Sequence, residues 1–304
     1  MSGTNDMADV YAAIEKTSQL LGVPCSRDRV WPILAAYEDV LPQAVIAFRV
    51  ATDARHVGEL DCRMTVPKDV DPYARALASG LTAETDHPVG KLLSEIPGHC
   101  PIDCYGIDFG IVSGFQKVWA FFPSDDLQEL SRLAGIPSMP RSLPEGVSFF
   151  SKHGLEKVSL IGIDYEDQTA NVYFGALPAD CREPEAILSM HREIGLPEPS
   201  EQMLKLGREA FGIYFTLRWE SPKIERISFA VITPDPMALP VRFAPRIEQF
   251  VRNLPYGATD PKLVYVAMKS TGEEYHKLQT YYRWRPRVLD LMQLPGSDSA
   301  QEPG

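Results

Sequence analysis

The feature that most constrains this chain is a repeat. At intervals of about 50 to 57 residues, a helix-like stretch gives way to two short runs rich in β-branched and aromatic residues. The runs pair as 43–51 with 57–66, 102–111 with 115–122, 157–164 with 169–175, 211–219 with 223–232, and 261–269 with 274–284. The joints carry turn-forming residues: Thr52-Asp53-Ala54, Ser113-Gly114, Glu166-Asp167-Gln168, Ser221-Pro222-Lys223 and Ser270-Thr271-Gly272. Two β runs separated by so short a joint form a hairpin. Helices are expected between the pairs, at 8–21, 88–96 (with Pro88 in a first-turn position), 183–194 and 245–253.

Five hairpins make ten strands. Hairpins give antiparallel neighbours, and a sheet this wide must curl or close. Closure with helices outside explains why both strand faces look apolar, and ten antiparallel strands leave room inside for a ligand. The expected class is therefore α+β, a ten-stranded antiparallel barrel built from five helix-and-hairpin units. A two-layer α+β domain is the alternative. No linker interrupts residues 1–294, so they read as one domain, while the polar, Gly- and Pro-containing segment 295–304 reads as a disordered tail.

Composition narrows the partners. A formal net charge of -11 argues against nucleic acid or an anionic membrane as the main partner. Five scattered cysteines do not form a disulfide framework, and Cys100 and Cys104, near His99, lack further ligands at zinc spacing. There is neither a signal sequence at the N-terminus nor an apolar run of the roughly 20 residues that span a bilayer. A monomer in the reducing cytoplasm is expected.

Residues two apart on a strand share a face. One face of the runs carries Val45, Ala47 and Arg49; Glu59, Asp61, Arg63 and Thr65; Phe115, Lys117, Trp119 and Phe121; Asn171, Tyr173 and Gly175; Tyr214, Thr216 and Arg218; Arg226, Ser228, Ala230 and Ile232; and Tyr275, Lys277, Gln279 and Tyr281. The opposite face, for example Val118, Ala120, Phe122, Val172 and Phe174, suits a helix-covered exterior. A cation or polar group followed by aromatics recurs from hairpin to hairpin. One solvated face per sheet would explain any single hairpin. The repetition favours a lumen with a cationic zone and an aromatic zone. Arginine and lysine are rarely buried without partners, so such a lumen implies a bound anion. A diphosphate fits guanidinium and ammonium groups, and aromatic faces suit a carbocation. There is no GxxxxGK[ST] phosphate loop and no DDxxD run; the isolated Asp125-Asp126 reads as a helix start.

The segments GELDCRMTV (58–66), GFQKVWAFFP (114–123), IPSMP (136–140), NVYF (171–174), KIERISFAVI (223–232) and EEYHKLQTYY (273–282) resemble the bacterial aromatic prenyltransferases of the ABBA, or PT-barrel, fold. The resemblance covers about residues 8–292 and implies five ααββ units closing an antiparallel barrel. It implies diphosphate contacts at Lys117, Asn171, Tyr214, Arg226 and Lys277. It implies an aromatic lining at Trp119, Leu160, Tyr173, Phe211 and Tyr281, and a place for Mg²⁺ at Asp61. Two positions depart from the family: Asp167 stands where some members have lysine, and Arg63 where some metal-dependent members have serine. Arg63 shares a face with Asp61, and Arg49 lies on the neighbouring strand. We therefore expect Arg63, helped by Arg49, to replace the metal, so that no cofactor is required.

The implied reaction is transfer of a prenyl group from an allylic diphosphate to a carbon of an aromatic small molecule. Lys117, Arg226, Lys277 and Arg63 would stabilise the departing diphosphate, and Tyr281 and its neighbours the allyl cation. Gln279 stands where some geranyl-accepting relatives have glycine, which favours a dimethylallyl over a geranyl donor. The acceptor expected is a fused or phenolic aromatic, such as a dihydroxynaphthalene or a phenazine, in secondary metabolism. The competing function is a non-catalytic carrier of a terpenoid or aromatic ligand, whose mark would be loss of the cationic zone.

Overall fold

The computed structural model describes residues 3–285. The expected tail at 295–304, like the rest of 286–304, lies outside the described residues. The strands are β1 (Ile46–Ala51), β2 (Asp61–Pro67), β3 (Cys104–Gly110), β4 (Gly114–Phe121), β5 (Gln128–Glu129), β6 (Lys157–Asp164), β7 (Thr169–Phe174), β8 (Gly212–Arg218), β9 (Ile224–Thr233), β10 (Lys262–Lys269) and β11 (Glu274–Arg283). Each predicted pair of runs is a hairpin, and every ladder is antiparallel. The order β4-β3-β2-β1-β11-β10-β9-β8-β7-β6 closes because β6 also pairs with β4, with Gly162 opposite Trp119. Ten strands thus form a barrel. The two-residue β5 pairs with β6 beyond the end of β4.

Helices Gly3–Leu21 and Arg27–Ala36 precede β1, Pro72–Ala78 and Val89–Glu95 precede β3, and Pro184–Glu193 and Glu201–Arg208 precede β8. Three short helices, Leu130–Ala134, Ser142–Glu145 and Val147–Lys152, precede β6. Among the described residues, one α-helix, Pro245–Arg252, precedes β10, after a 3-10 turn at Pro236–Ala238. The hairpin is therefore the constant part of the repeat, and the helical part varies from unit to unit. Asp125 and Asp126, expected at a helix start, lie instead in the turn between β4 and β5.

Alternation along the strands divides two cores. Val118, Ala120, Val172, Phe215 and Leu217 point outward and are fully buried under the helices. Phe150 of the helix Val147–Lys152 packs at 5.1 Å against both Phe174 and Phe215. Burying one such ring stabilises the fold by roughly 1.5–3 kcal/mol. The inward cluster is separate and smaller: Ala47, Ala230, Leu263, Tyr265 and Tyr281. Glu59, grouped by alternation with the inward residues, precedes β2 and accepts hydrogen bonds from the backbone N–H groups of Val112 and Ser113 (3.1 and 3.0 Å), closing the β3–β4 turn. Gly114 makes that turn possible, because its φ of 93° is open only to glycine at low cost. Among the described residues no helix is long and apolar enough to cross a membrane.

Candidate active site

The five hairpin turns lie at one end of the barrel and the helical connections at the other, and the lumen is polarised the same way. Near the turns, a cavity is lined by six lysines and arginines (Arg55, Lys117, Arg218, Arg226, Lys269 and Lys277) against four carboxylates (Asp53, Asp164, Asp167 and Glu225). Near the helical end, a second cavity is lined by Leu160, Tyr173, Phe211, Tyr214, Leu263, Tyr265 and Tyr281, with Arg63 and Gln279 among them.

The charged groups are held in a cross-strand row. Arg63 on β2 lies opposite Asp108 on β3, Asp108 opposite Lys117 on β4, and Lys117 opposite Asp164 on β6. Arg63 donates from Nε and Nη2 to the two oxygens of Asp108, at 2.7 and 3.0 Å. Lys117 Nζ lies 2.8 Å from Asp164 Oδ2. Arg49 donates from Nε and Nη2 to Asp61 Oδ2, at 3.1 and 3.0 Å, and its Nη2 reaches Asp108 Oδ2 at 3.2 Å. The sequence placed Arg63 beside Asp61; the structure gives Asp61 to Arg49 and Asp108 to Arg63. The reason is register: the residue opposite Asp61 on β1 is Arg49. Burial alone would raise the Asp108 carboxyl pKa, but Arg63 and Arg49 overcome it and hold the group well below the ordinary range.

Two inward cations have no such partner. Arg226 donates from Nη1 to the Tyr275 hydroxyl (2.9 Å) and from Nη2 to Asn171 Oδ1 (3.0 Å), which also accepts the Thr216 hydroxyl at 2.6 Å. Lys277 is pushed well below its ordinary pKa by burial and then by Arg226, Arg49 and Lys117. Among the described residues, neither Arg226 nor Lys277 is ion-paired with a carboxylate. Buried polar atoms without a hydrogen-bond partner accompany them: Arg226 Nε, Asn171 Nδ2, Asp61 Oδ1 and Gln279 Oε1. Each such atom costs about 1–3 kcal/mol in the free protein, a cost that a ligand with matching groups removes.

Most of the aromatic residues expected in the lining are there. Tyr173 and Tyr214 lie 4.0 Å apart between ring centroids, and Tyr214 is 5.9 Å from Tyr265. Tyr214, expected among the diphosphate contacts, lines the aromatic cavity, and Thr216 takes the inward place beside the charged one. Trp119 does not line the aromatic cavity. Arg63 covers its ring at 4.2 Å, and its indole is packed against Gly162. Gln279 donates to the Tyr281 hydroxyl at 3.1 Å. At Asp167, the position expected to lack a lysine contact, Arg55 from the β1–β2 loop forms an ion pair. Sequence reasoning missed Asp108, Asp164 and Tyr265, which lie on strands whose inward face it did not separate.

The resemblance implied a place for Mg²⁺ at Asp61. Here Asp61 Oδ2 is taken by a guanidinium at 3.0 Å, and one buried oxygen remains. No group of three or more His, Cys, Asp or Glu able to hold a metal ion occurs among the described residues. A divalent ion beside Arg49 would meet like charge, so this donor set does not fit it.

A family model described as "Aromatic prenyltransferase Orf2" matches residues 5–290. The chain belongs to that family. It is 55% identical to the flaviolin linalyltransferase of Streptomyces virginiae, over 94% of this chain and 95% of the relative. It is 51% identical to the 5,10-dihydrophenazine-1-carboxylate 9-dimethylallyltransferase of Streptomyces anulatus, over 96% and 98%. The solved 5-dimethylallyl tryptophan synthase of Streptomyces coelicolor shares the fold, with a TM-score of 0.52 at 10% identity, over 92% of this chain and 97% of that one. This prenyltransferase is an enzyme of secondary metabolism acting on aromatic acceptors, as the sequence resemblance implied, and the carrier alternative finds no support.

Proposed function

We propose that this prenyltransferase uses dimethylallyl diphosphate to alkylate a carbon of a fused aromatic acceptor, a naphthalene or phenazine, without a metal ion. The observation that carries the reading is the pair of inward cations without a carboxylate partner, Arg226 and Lys277, in the charged cavity. A diphosphate seated there satisfies Arg226 Nε and Asn171 Nδ2 and leaves its allylic carbon facing the tyrosines.

As the C–O bond breaks, charge grows on the leaving group, and fixed cations stabilise that state most. Lys117, Arg226 and Lys277 do this, with Arg49 near Asp61 in the place a metal would take. The allyl cation forms against the faces of Tyr173, Tyr214 and Tyr281, whose hydroxyls burial keeps neutral. The closed barrel keeps out water that would capture it. The acceptor, stacked in the same cavity, attacks through carbon, and its ring proton then leaves.

Gln279 supports a five-carbon donor. It is 2% exposed and tied to Tyr281, so a longer chain must displace it. A ten-carbon donor is the second reading, favoured by the Streptomyces virginiae relative, which is named as a linalyltransferase. Absence of disulfides among the described cysteines supports the cytoplasm as its place, and we take the monomer as the acting form. Mass spectrometry after incubation with dimethylallyl or geranyl diphosphate and a panel of naphthalenes and phenazines tests the whole reading. Dimethylallyl products should dominate; geranyl products at equal or greater rate would transfer the assignment to the longer donor.

A further inference from the structure

Among the described residues, Arg63 is the one basic residue on the wall of the aromatic cavity, and a bare cation there would oppose the allyl cation formed beside it. The fold counters this from two sides. Asp108 takes Nε and Nη2 of Arg63 in a two-bonded pair, and the Arg63 guanidinium lies over the Trp119 ring, 4.2 Å from its centroid. Trp119 can lie there because the residue opposite it is Gly162, where any Cβ would come within 2.5 Å of the indole. A carboxylate, an aromatic platform and a glycine thus hold one arginine in one orientation. The bonds to Asp108 take one edge of the guanidinium, and Tyr265, whose hydroxyl pKa burial raises against the opposing pull of Arg63, lines the same cavity.

The charged cavity does not include Arg63, whereas it does include Lys117, Arg226 and Lys277. The donor's phosphates are provided for at that end. On the proposed function the acceptor stacks in the aromatic cavity among Ala47, Leu263, Tyr265 and Tyr281, within reach of Arg63.

We propose that Arg63 is the acceptor-reading residue of this enzyme: its guanidinium donates to an ionised oxygen on the aromatic acceptor, so that an acidic fused aromatic is selected over a neutral one. The inference rests on the aromatic prenyltransferase reading and adds the charge of the acceptor to it. A guanidinium held by its own carboxylate suits the role, because its edge is already oriented and little side-chain freedom is lost on binding. It also fixes which face of the acceptor turns toward the tyrosines, since a single directional contact at one edge orients a flat ring.

Calorimetry on the intact protein tests this without requiring turnover, with 1-hydroxy-2-naphthoate and 1-naphthol as the acceptor pair and inorganic pyrophosphate as the donor-site probe. Wild type should bind the naphthoate about tenfold or more tightly, the scale of one charge-assisted hydrogen bond. Arg63→Gln should remove that preference and leave pyrophosphate affinity within about twofold, well below the tenfold worth of one such bond. Equal wild-type affinity for the pair, or affinity for neither, overturns the proposal with no variant needed. A tenfold loss of pyrophosphate affinity in Arg63→Gln, with the acceptor preference intact, overturns it too and returns Arg63 to the diphosphate. The mass-spectrometric donor assay is separate, so the acceptor-charge inference can fail while prenyl transfer to fused aromatics stands.

Discussion

Burial, reinforced by Arg226, Arg49 and Lys117, depresses the Lys277 pKa, and Asp53 opposes this only weakly. Between that lowered value and the ordinary lysine value, the folded protein binds fewer protons here than the unfolded chain. Lys277 therefore costs stability below its lowered pKa, and the cost fades as pH rises toward the ordinary lysine range. A diphosphate supplies the missing countercharge and restores the pKa, so its binding should take up a proton at alkaline pH. Titration of wild type with pyrophosphate in two buffers of different ionisation enthalpy should show this uptake. Lys277→Arg, whose guanidinium stays charged, should take up less, the remainder falling to Lys117, whose pKa burial also lowers. Heats independent of buffer in wild type would refute it. Lys117 and Arg226 separate stability from catalysis. Arg226→Ala leaves only neutral groups behind, so turnover should fall about a hundredfold, the scale for one transition-state donor, with little change in melting temperature. Lys117→Ala strands Asp164 and should lose a comparable factor in turnover plus about 3–5 kcal/mol of stability. Near-normal turnover in both would remove them from the diphosphate site.

All five hairpins were legible in the sequence because turn residues and β-rich runs are local signals. The inward face was legible on β2, β4, β7, β8, β9 and β11, where polar and apolar residues alternate, and on β1, buried throughout, from Arg49 alone. It was not legible on β3 and β10, nor on β6. Nearly every position of these three strands is buried, one side by helices and the other by the lumen. Segments such as CYGIDFG and KLVYVAMK therefore carry no two-residue period. Asp108, Asp164 and Tyr265 were lost for that reason. Only the register, Asp108 opposite both Arg63 and Lys117, identifies the first. Helices Arg27–Ala36, Pro72–Ala78 and Glu201–Arg208 were not picked out, although the similarly short Val89–Glu95 and Pro245–Arg252 were. Pairing between hairpins also explains Gly162. A Cβ there would sit 2.5 Å from Cζ3 and 2.7 Å from Cε3 of Trp119. Gly162→Ala should therefore cost about 1–3 kcal/mol by overpacking. It should tilt the platform under Arg63 as well. A thermal melt should fall by a few degrees, and acceptor KM should rise more than donor KM. An unchanged melt would show that the indole has room to move.

Across the whole barrel, charge is arranged so that the ligand-free lumen is tolerable and the loaded one is balanced. Arg49, Arg63, Asp61 and Asp108 form a neutral set, as do Lys117 and Asp164. The excess lies in Arg226 and Lys277, on the strands that complete the far side of the ring. A diphosphate brings the balancing charge by itself. Adding Mg²⁺ would restore the excess positive charge and place a divalent ion beside Arg49 with one carboxylate oxygen to hold it. Turnover should therefore survive excess EDTA at half or more of its normal rate. Loss of most activity, restored by Mg²⁺, would reject a metal-free site. Arg49→Ser sharpens the test. It frees Asp61 Oδ2 and removes the competing guanidinium, so metal-free turnover should fall by about tenfold or more, the worth of one charge-assisted contact. Added Mg²⁺ should recover part of it. A variant that Mg²⁺ leaves unrescued would mean that Asp61 alone cannot recruit a metal and that Arg49 is not standing in its place.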